Sequence, residues 1–320
     1  KKLLLMALMA VMAVGLIACG TDKSDNESTK EEKTSVTITS LDASKNEIEL
    51  EVPYNPKRIA ILDLASLDII DELGVGDRVV GMASTSIDYL EKYSNDASIK
   101  NLGTIKEADL EAVMECEPDI IFIGGRLSKS YDALSEIAPV VYLATDTNEG
   151  LVNSVSKNAK TIASIFGMED KVDSLMSDFG ARIDAIKKIS SGKTALVGMT
   201  TSGSFNLLGN DGRCSLIGVE AGFNNLTAAG STSTHGNESS FETVVQQNPD
   251  YIFVMDRDSA ISTAGAKTAK EIVENELVKT TDAYKNNHII YLEHSNVWYT
   301  AEGGIQALDI MLTDLEKGLK

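Results

Sequence analysis

One segment of the chain occurs twice. Residues 110–126 (LEAVMECEPDIIFIGGR) and 241–257 (FETVVQQNPDYIFVMDR) align without a gap at an offset of 131 residues. Glu111, Val113, Pro118, Asp119, Ile121, Phe122 and Arg126 are matched by Glu242, Val244, Pro249, Asp250, Ile252, Phe253 and Arg257. Each copy reads as an amphipathic helix, a Pro-Asp break, a short apolar strand and an arginine where the strand ends. Two copies so far apart predict two similar lobes, each offering an arginine at an equivalent place. That arrangement suits an anion held between lobes.

The rest of the chain fits this frame. Apolar stretches at 36–39, 48–52, 56–62, 79–82, 140–143, 194–199 and 288–292 read as strands, and 66–74 and 303–318 read as helices. Strands alternating with helices predict an α/β fold with two Rossmann-like lobes and mostly parallel sheets. The first lobe spans 36–147 and the second 191–320. Between them, residues 148–190 carry helical periodicity in Leu151, Val155, Ile162, Ile165 and Phe166, then Val172, Leu175, Phe179, Ile183 and Ile186. One continuous helix of that length is about 60 Å long, a strut between lobes. Gly167 marks a kink or a short break.

The first residues assign the compartment. Lys1 and Lys2 precede an uncharged apolar run over 3–18 that closes on Leu16, Ile17, Ala18 and Cys19, the pattern of a secretory signal. The run is shorter than the roughly 20 residues a membrane span needs. Its ending resembles the lipobox of bacterial lipoproteins, which implies acylation of Cys19 and a lipid anchor. Residues 19–35 hold few apolar side chains and read as a flexible tether. The formal net charge of −19 argues against nucleic acid as a partner and makes local positive charge informative. Cys116 and Cys214 fall in different lobes. Export leaves a disulfide open, but neither repeat position pairs a cysteine with a cysteine, which favours free thiols.

In α/β sheets, ligands sit beyond the carboxyl ends of the strands. Arg126, Arg213 and Arg257 lie in loops at such ends, and guanidinium forks match anionic oxygens. For any one of them, pairing with a neighbouring carboxylate such as Asp211 or Asp256 is the alternative. His235 lies in the polar loop 230–236, where a neutral imidazole suits metal ligation or simple exposure. Trp298 and Tyr299 form an aromatic pair in what reads as a loop, available to a ligand or to packing between lobes. Tyr299 offers a hard oxygen donor for Fe(III), with His294 as an alternative donor nearby. His288, at the other end of its strand, reads as structural. Glu111 and Glu242 sit in the first turn of each repeat helix, where a helix-dipole contact is the ordinary role and a docking role is the other.

Together, the lipobox, the tether, Pro56 through Ala60, the two Pro-Asp repeats and the linking helix resemble class III substrate-binding proteins of ABC importers for ferric siderophores, haem or cobalamin. The resemblance covers roughly residues 50–320. It implies two lobes joined by a rigid helix, small closure, and Glu111 and Glu242 engaging a permease dimer. Within that family the chain is most similar to binders of ferric catecholate siderophores. This implies Arg126, Arg213 and Arg257 around the iron complex, with Tyr131 and Trp298 as further ligand contacts. It also implies His235 and Tyr299, or His294, completing iron coordination. A monomer with no intrinsic cofactor and no enzymatic activity is expected, held outside the cell membrane by its lipid. Haem or cobalamin is the alternative ligand of the same importer class; for haem, two propionates do not need three arginines. An esterase is a further alternative, but no G-x-S-x-G elbow is present.

Overall fold

The computed structural model describes residues 33–229 and 231–320. The signal segment 1–18, Cys19 and the tether as far as residue 32 lie outside the described residues.

Each lobe is organised around a sheet whose central strands are apolar on both faces. In the first lobe the five strands are parallel, in the spatial order Lys100–Asn101, Val79–Met82, Ile59–Ile61, Ile120–Ile123 and Val140–Tyr142. An antiparallel hairpin, Ser35–Leu41 with Glu47–Pro53, precedes it. In the second lobe the order is Asn237–Glu238, Ser204–Leu207, Thr194–Thr201, Tyr251–Asp256 and Ile289–Tyr291. The last three are parallel, and the Ser204–Leu207 strand is antiparallel to its neighbours.

The repeat explains why the lobes match. Asp109 caps the helix Leu110–Glu115 through the Ala112 N–H at 3.0 Å, and Ser240 caps Phe241–Gln247 through the Thr243 N–H at 3.3 Å. After each helix the chain passes a left-handed residue, Glu117 or Asn248, and reaches the Pro-Asp pair. Asp119 accepts from the N–H groups of Lys57 and Arg58 at 2.7 and 2.9 Å. Asp250 accepts from the N–H of Thr194 at 2.8 Å. Each repeated aspartate therefore ties the start of its own strand to the start of the neighbouring parallel strand. Phe122 and Phe253 then fill the two cores, both fully buried, each contributing about 1.5–3 kcal/mol.

The linker is interrupted. It consists of Leu151–Phe166, Glu169–Leu175 and Phe179–Ser190. Gly167 ends the first segment with φ 66°, and a Cβ there would lie 2.2 Å from the Tyr54 hydroxyl, so any other residue would both strain the backbone and displace Tyr54. A second connection between the lobes comes from the last helix, Ile305–Gly318. Asp68, in the first-lobe helix Leu64–Glu72, accepts from the N–H groups of Gln306 and Ala307, both at 2.9 Å. A buried carboxylate of one lobe thus caps a helix of the other.

Cys116 and Cys214 are both free and buried. Among the described residues no helix is long and apolar enough to cross a membrane.

Candidate functional site

In each sheet the strand order reverses direction between two central strands, and this is where side chains converge. In the first lobe the switch lies between Ile59–Ile61 and Ile120–Ile123. Asp63 follows one strand and Gly124 the other. A Cβ on Gly124 would lie 2.4 Å from Asp63 Oδ1, so glycine here leaves room for the Asp63 carboxylate between the two strand ends. Arg126 follows in the turn Gly125–Ser130. In the second lobe the switch lies between Thr194–Thr201 and Tyr251–Asp256. Arg257 emerges there, donating to Thr201 Oγ1 at 3.2 Å and pairing with Asp258 at 3.1 Å.

All three predicted arginines meet at Tyr299. Arg126 donates to the Tyr299 carbonyl at 3.0 Å, and Arg213 Nε lies 3.4 Å from the same oxygen. Arg257 Nε donates to the Tyr299 hydroxyl at 3.3 Å. Their guanidinium carbons stand 5.5, 4.5 and 5.7 Å from the centre of the Tyr299 ring, within cation–π range. The alternative pairing with Asp211 or Asp256 does not occur, because those carboxylates accept backbone N–H groups instead. Among the described residues neither Arg126 nor Arg213 has a carboxylate within ion-pair distance, and burial together with the charge of Arg213 pulls the Arg126 guanidinium below its ordinary value. Arg58, Arg78 and Arg182 serve elsewhere. Arg58 donates to the carbonyls of Cys116 and Glu117 at 3.0 Å, Arg78 to the Pro56 carbonyl at 3.1 Å, and Arg182 pairs with Asp309 and Glu316.

Tyr299 responds to this field. Burial alone raises the pKa of a phenol, but the hydrogen bond from Arg257 and the charges of Arg213, Arg257 and Arg126 outweigh it, and the phenol is held below its usual value. His235 is exposed, with its carbonyl accepting from Asn206 at 2.8 Å. Partial burial, then the charges of Arg257, Arg213, Lys106 and Arg126, lower its imidazole pKa. The same arginines thus lower both the imidazole and the phenol, and neutral imidazole and phenolate are donor types that suit a ferric ion.

A cleft of about 390 Å³ opens between the lobes, with Arg126, Arg213, Tyr299, Asn158, Asp63 and Glu302 in its wall. Arg257 and His235 lie outside that wall, and Arg257 reaches it through Tyr299. Sequence reasoning missed the two carboxyls. Burial pushes Asp63 up, opposed by the Ser66 backbone and hydroxyl donors and by Arg126. Burial pushes Glu302 up to about 7, opposed by the Cys214 N–H at 2.9 Å and by Arg213. Nothing in the local sequence signals either, since their environment is assembled from distant segments.

Four expectations need correction. Trp298 and Tyr299 lie on the helix Ser295–Thr300, not in a loop. Trp298 is fully buried and donates to Asp314 at 2.9 Å, so it packs the second lobe and does not face the cleft. His294 is held by the same Asp314, with Nδ1 at 2.7 Å, outside the cleft wall. Glu293, His294 and Asp314 could hold a metal ion, but Asp314 already serves three donors and Glu293 pairs with Lys317 at 2.9 Å. Tyr131 packs, half-buried, against the first-lobe core and is not part of the cleft wall. His288 is structural as expected, stacked 4.2 Å from Tyr251. Glu111 and Glu242 are both exposed at equivalent first-turn positions.

Residues 59–295 match the family described as periplasmic binding protein. The chain is 36% identical over its full length to the petrobactin-binding protein YclQ of Bacillus subtilis, covering 99% of that protein. The crystal structure of YclQ superposes with a TM-score of 0.82, covering 89% of this chain and 99% of that one. The catecholate-siderophore binding protein VctP of Vibrio cholerae is 30% identical, with a TM-score of 0.79 over 88% of this chain and all of that one. BauB, a siderophore-binding protein solved with two acinetobactin molecules and ferric iron, is 27% identical, with a TM-score of 0.77 over 89% of this chain and 99% of that one. With this fold and these matches, the chain belongs to the periplasmic binding protein family, in its class III two-lobed form.

Proposed function

We propose that this protein captures an anionic ferric siderophore of the catecholate type between its lobes and delivers it to an ABC permease. The observation that carries the reading is the convergence of Arg126, Arg213 and Arg257, from both lobes, on Tyr299. Arg126 and Arg213, in the cleft wall with no carboxylate at ion-pair distance, repel each other until an anion arrives, and Arg257, paired with Asp258, reaches the site through Tyr299. A ferric catecholate supplies delocalised negative charge with outward-facing oxygens, which guanidinium forks match. Where the siderophore leaves iron with open positions, Tyr299 as phenolate and His235 as neutral imidazole supply the remaining donors. Glu111 and Glu242 offer one carboxylate per lobe to the permease. Acylated Cys19 anchors the protein on the outer face of the cell membrane. Capture and release involve no covalent chemistry and no resident cofactor.

Titration of the protein with a ferric bis-catecholate tests the reading. Saturable binding is expected, with Arg126→Ala and Arg213→Ala each weakening it about 10- to 100-fold. His235→Ala removes the Tyr/His-dependent change in the visible charge-transfer band. Parent protein that fails to bind, or a triple arginine variant that binds as well as the parent, overturns it.

A further inference from the structure

The two docking glutamates stand on different surfaces. On the first lobe, Leu110 and Met114 are one helical turn apart on the helix that carries Glu111, and they are exposed by 39% and 59%. With Pro118, Ala133 and Ile137 they line an apolar groove of about 480 Å³, rimmed by Glu117 and Glu136. Among the described residues Glu111, Glu117 and Glu136 have no ion-pair partner, whereas Glu115 is engaged by Lys100. The duplicated segment supplies an internal comparison. Phe241, at the place of Leu110, is stacked on Phe205 with ring centres 6.3 Å apart and planes 4° from parallel. Val245 stands for Met114 and is half-buried. Asn248 stands for Glu117, with the same left-handed backbone, and its side chain donates to Asp282 at 2.8 Å. The same backbone plan therefore leaves an open apolar groove with free rim carboxylates on one lobe, while on the other the matching positions are a stacked Phe241, a half-buried Val245 and an uncharged Asn248.

We propose that the groove between residues 110–118 and 133–137 is a docking pocket for the permease, taking a bulky apolar side chain that is flanked by basic residues. This rests on the docking role of Glu111 and Glu242. Charge complementarity selects the occupant: two unpaired carboxylates on the rim of an apolar floor, with Glu111 on the same helix, disfavour a second copy of this strongly acidic chain and favour a basic partner. The first lobe thereby contributes apolar burial as well as an ion pair, and the second lobe an ion pair alone. The two lobes engage the permease unequally.

The test uses the full chain in its native host, with the chromosomal copy replaced, and measures uptake of radiolabelled iron as its bis-catecholate complex. Met114→Lys is expected to lower uptake at least fivefold, Met114→Leu to preserve it, and Glu117→Lys with Glu136→Lys to lower it. Affinity of the purified variants for the complex stays unchanged. Val245→Lys, the second-lobe counterpart, changes uptake less than twofold. If the Met114 and rim variants transport normally while Glu111→Ala and Glu242→Ala do not, the groove proposal is wrong and the docking reading stands. If all are normal, both fail. Purified parent protein that is dimeric, and made monomeric by Met114→Lys without loss of uptake, assigns the groove to self-association and also overturns the proposal.

Discussion

The guanidinium of Arg257 donates to the hydroxyl of Tyr299 at 3.3 Å, joining the second-lobe switch point to the floor of the cleft. The contact does more than position the ring. It favours the phenolate, and Arg213 from the second lobe and Arg126 from the first reinforce it. On the proposed reading, this lowered cost of ionisation readies the phenol to act as a donor to the iron of a bound siderophore.

Ultraviolet titration reads this directly. The difference between parent and Tyr299→Phe isolates the Tyr299 transition, expected below the ordinary tyrosine range of about 10. Arg257→Gln moves that transition upward. A depressed native pKa stabilises the fold only as pH rises through it towards the unfolded value. Arg257→Gln therefore loses stability selectively in alkaline solution. An unchanged transition in Arg257→Gln means the contact does not tune the phenol.

Glu302 gives the opposite pH dependence. Burial raises its carboxyl to about 7. The native state then binds a proton that the unfolded chain has already released, so this contribution is fully present below the unfolded value near 4.5. It is lost as pH rises from there through about 7. Glu302→Gln removes the loss. The parent should fall relative to the variant by on the order of 2 kcal/mol between pH 5 and pH 8. Urea unfolding at those two pH values measures it, and parallel curves for the two proteins would show that Glu302 is not the titrating group.

Much of this site is legible in the sequence because duplication converts one arginine into two equivalent ones. Arg126 and Arg257 share a register with Pro-Asp pairs whose structural task is local, so their placement at strand ends follows from the chain alone. Arg213 is legible through its Asn-Asp-Gly loop. Trp298 misleads because adjacency in sequence does not give a shared face on a helix. Consecutive residues point about 100° apart, so when Tyr299 faces the arginines Trp298 must face the core. Asp63 and Glu302 are invisible because the burial that raises a carboxyl pKa is assembled by the fold from separate segments, Arg126 lying 63 residues from Asp63 and Cys214 88 residues from Glu302. The linker's periodicity continues through Gly167 because packing, not helix continuity, sets which residues are apolar.

Asp314 is the residue that holds the aromatic pair in this orientation. It is buried and accepts from the Trp298 indole at 2.9 Å, the His294 N–H at 3.0 Å and the His294 ring at 2.7 Å. Asp314→Ala leaves these donors unpaired and is expected to cost about 2–4 kcal/mol. Trp298 is the one tryptophan in the sequence, so its fluorescence reports both the local change and global unfolding. Weakened binding of a ferric bis-catecholate by folded Asp314→Ala is also expected, because Tyr299 loses its fixed helix. Parent-like stability would show that the indole and imidazole find other partners.

The connection between lobes leads to a final prediction. Class III proteins are expected to close little, and the linker alone does not enforce this, because it is broken after Phe166 and again after Leu175. The Asp68 cap on the last helix adds a second tie. Its carboxylate also accepts from the Tyr89 hydroxyl at 2.6 Å, and a Cβ at Gly304 would lie 2.3 Å from Asp68 Cγ, so the approach depends on that glycine. Asp68→Ala strips a buried helix terminus of its acceptor and should cost about 2–4 kcal/mol. Gly304→Ala forces the two elements apart while leaving the carboxylate in place. If this tie restrains the lobes, spin labels placed one on each lobe will show a broader distance distribution in both variants than in the parent, and addition of ligand will narrow it. Distributions identical to the parent's in two destabilised variants would mean that the packed apolar interface alone fixes the angle between lobes.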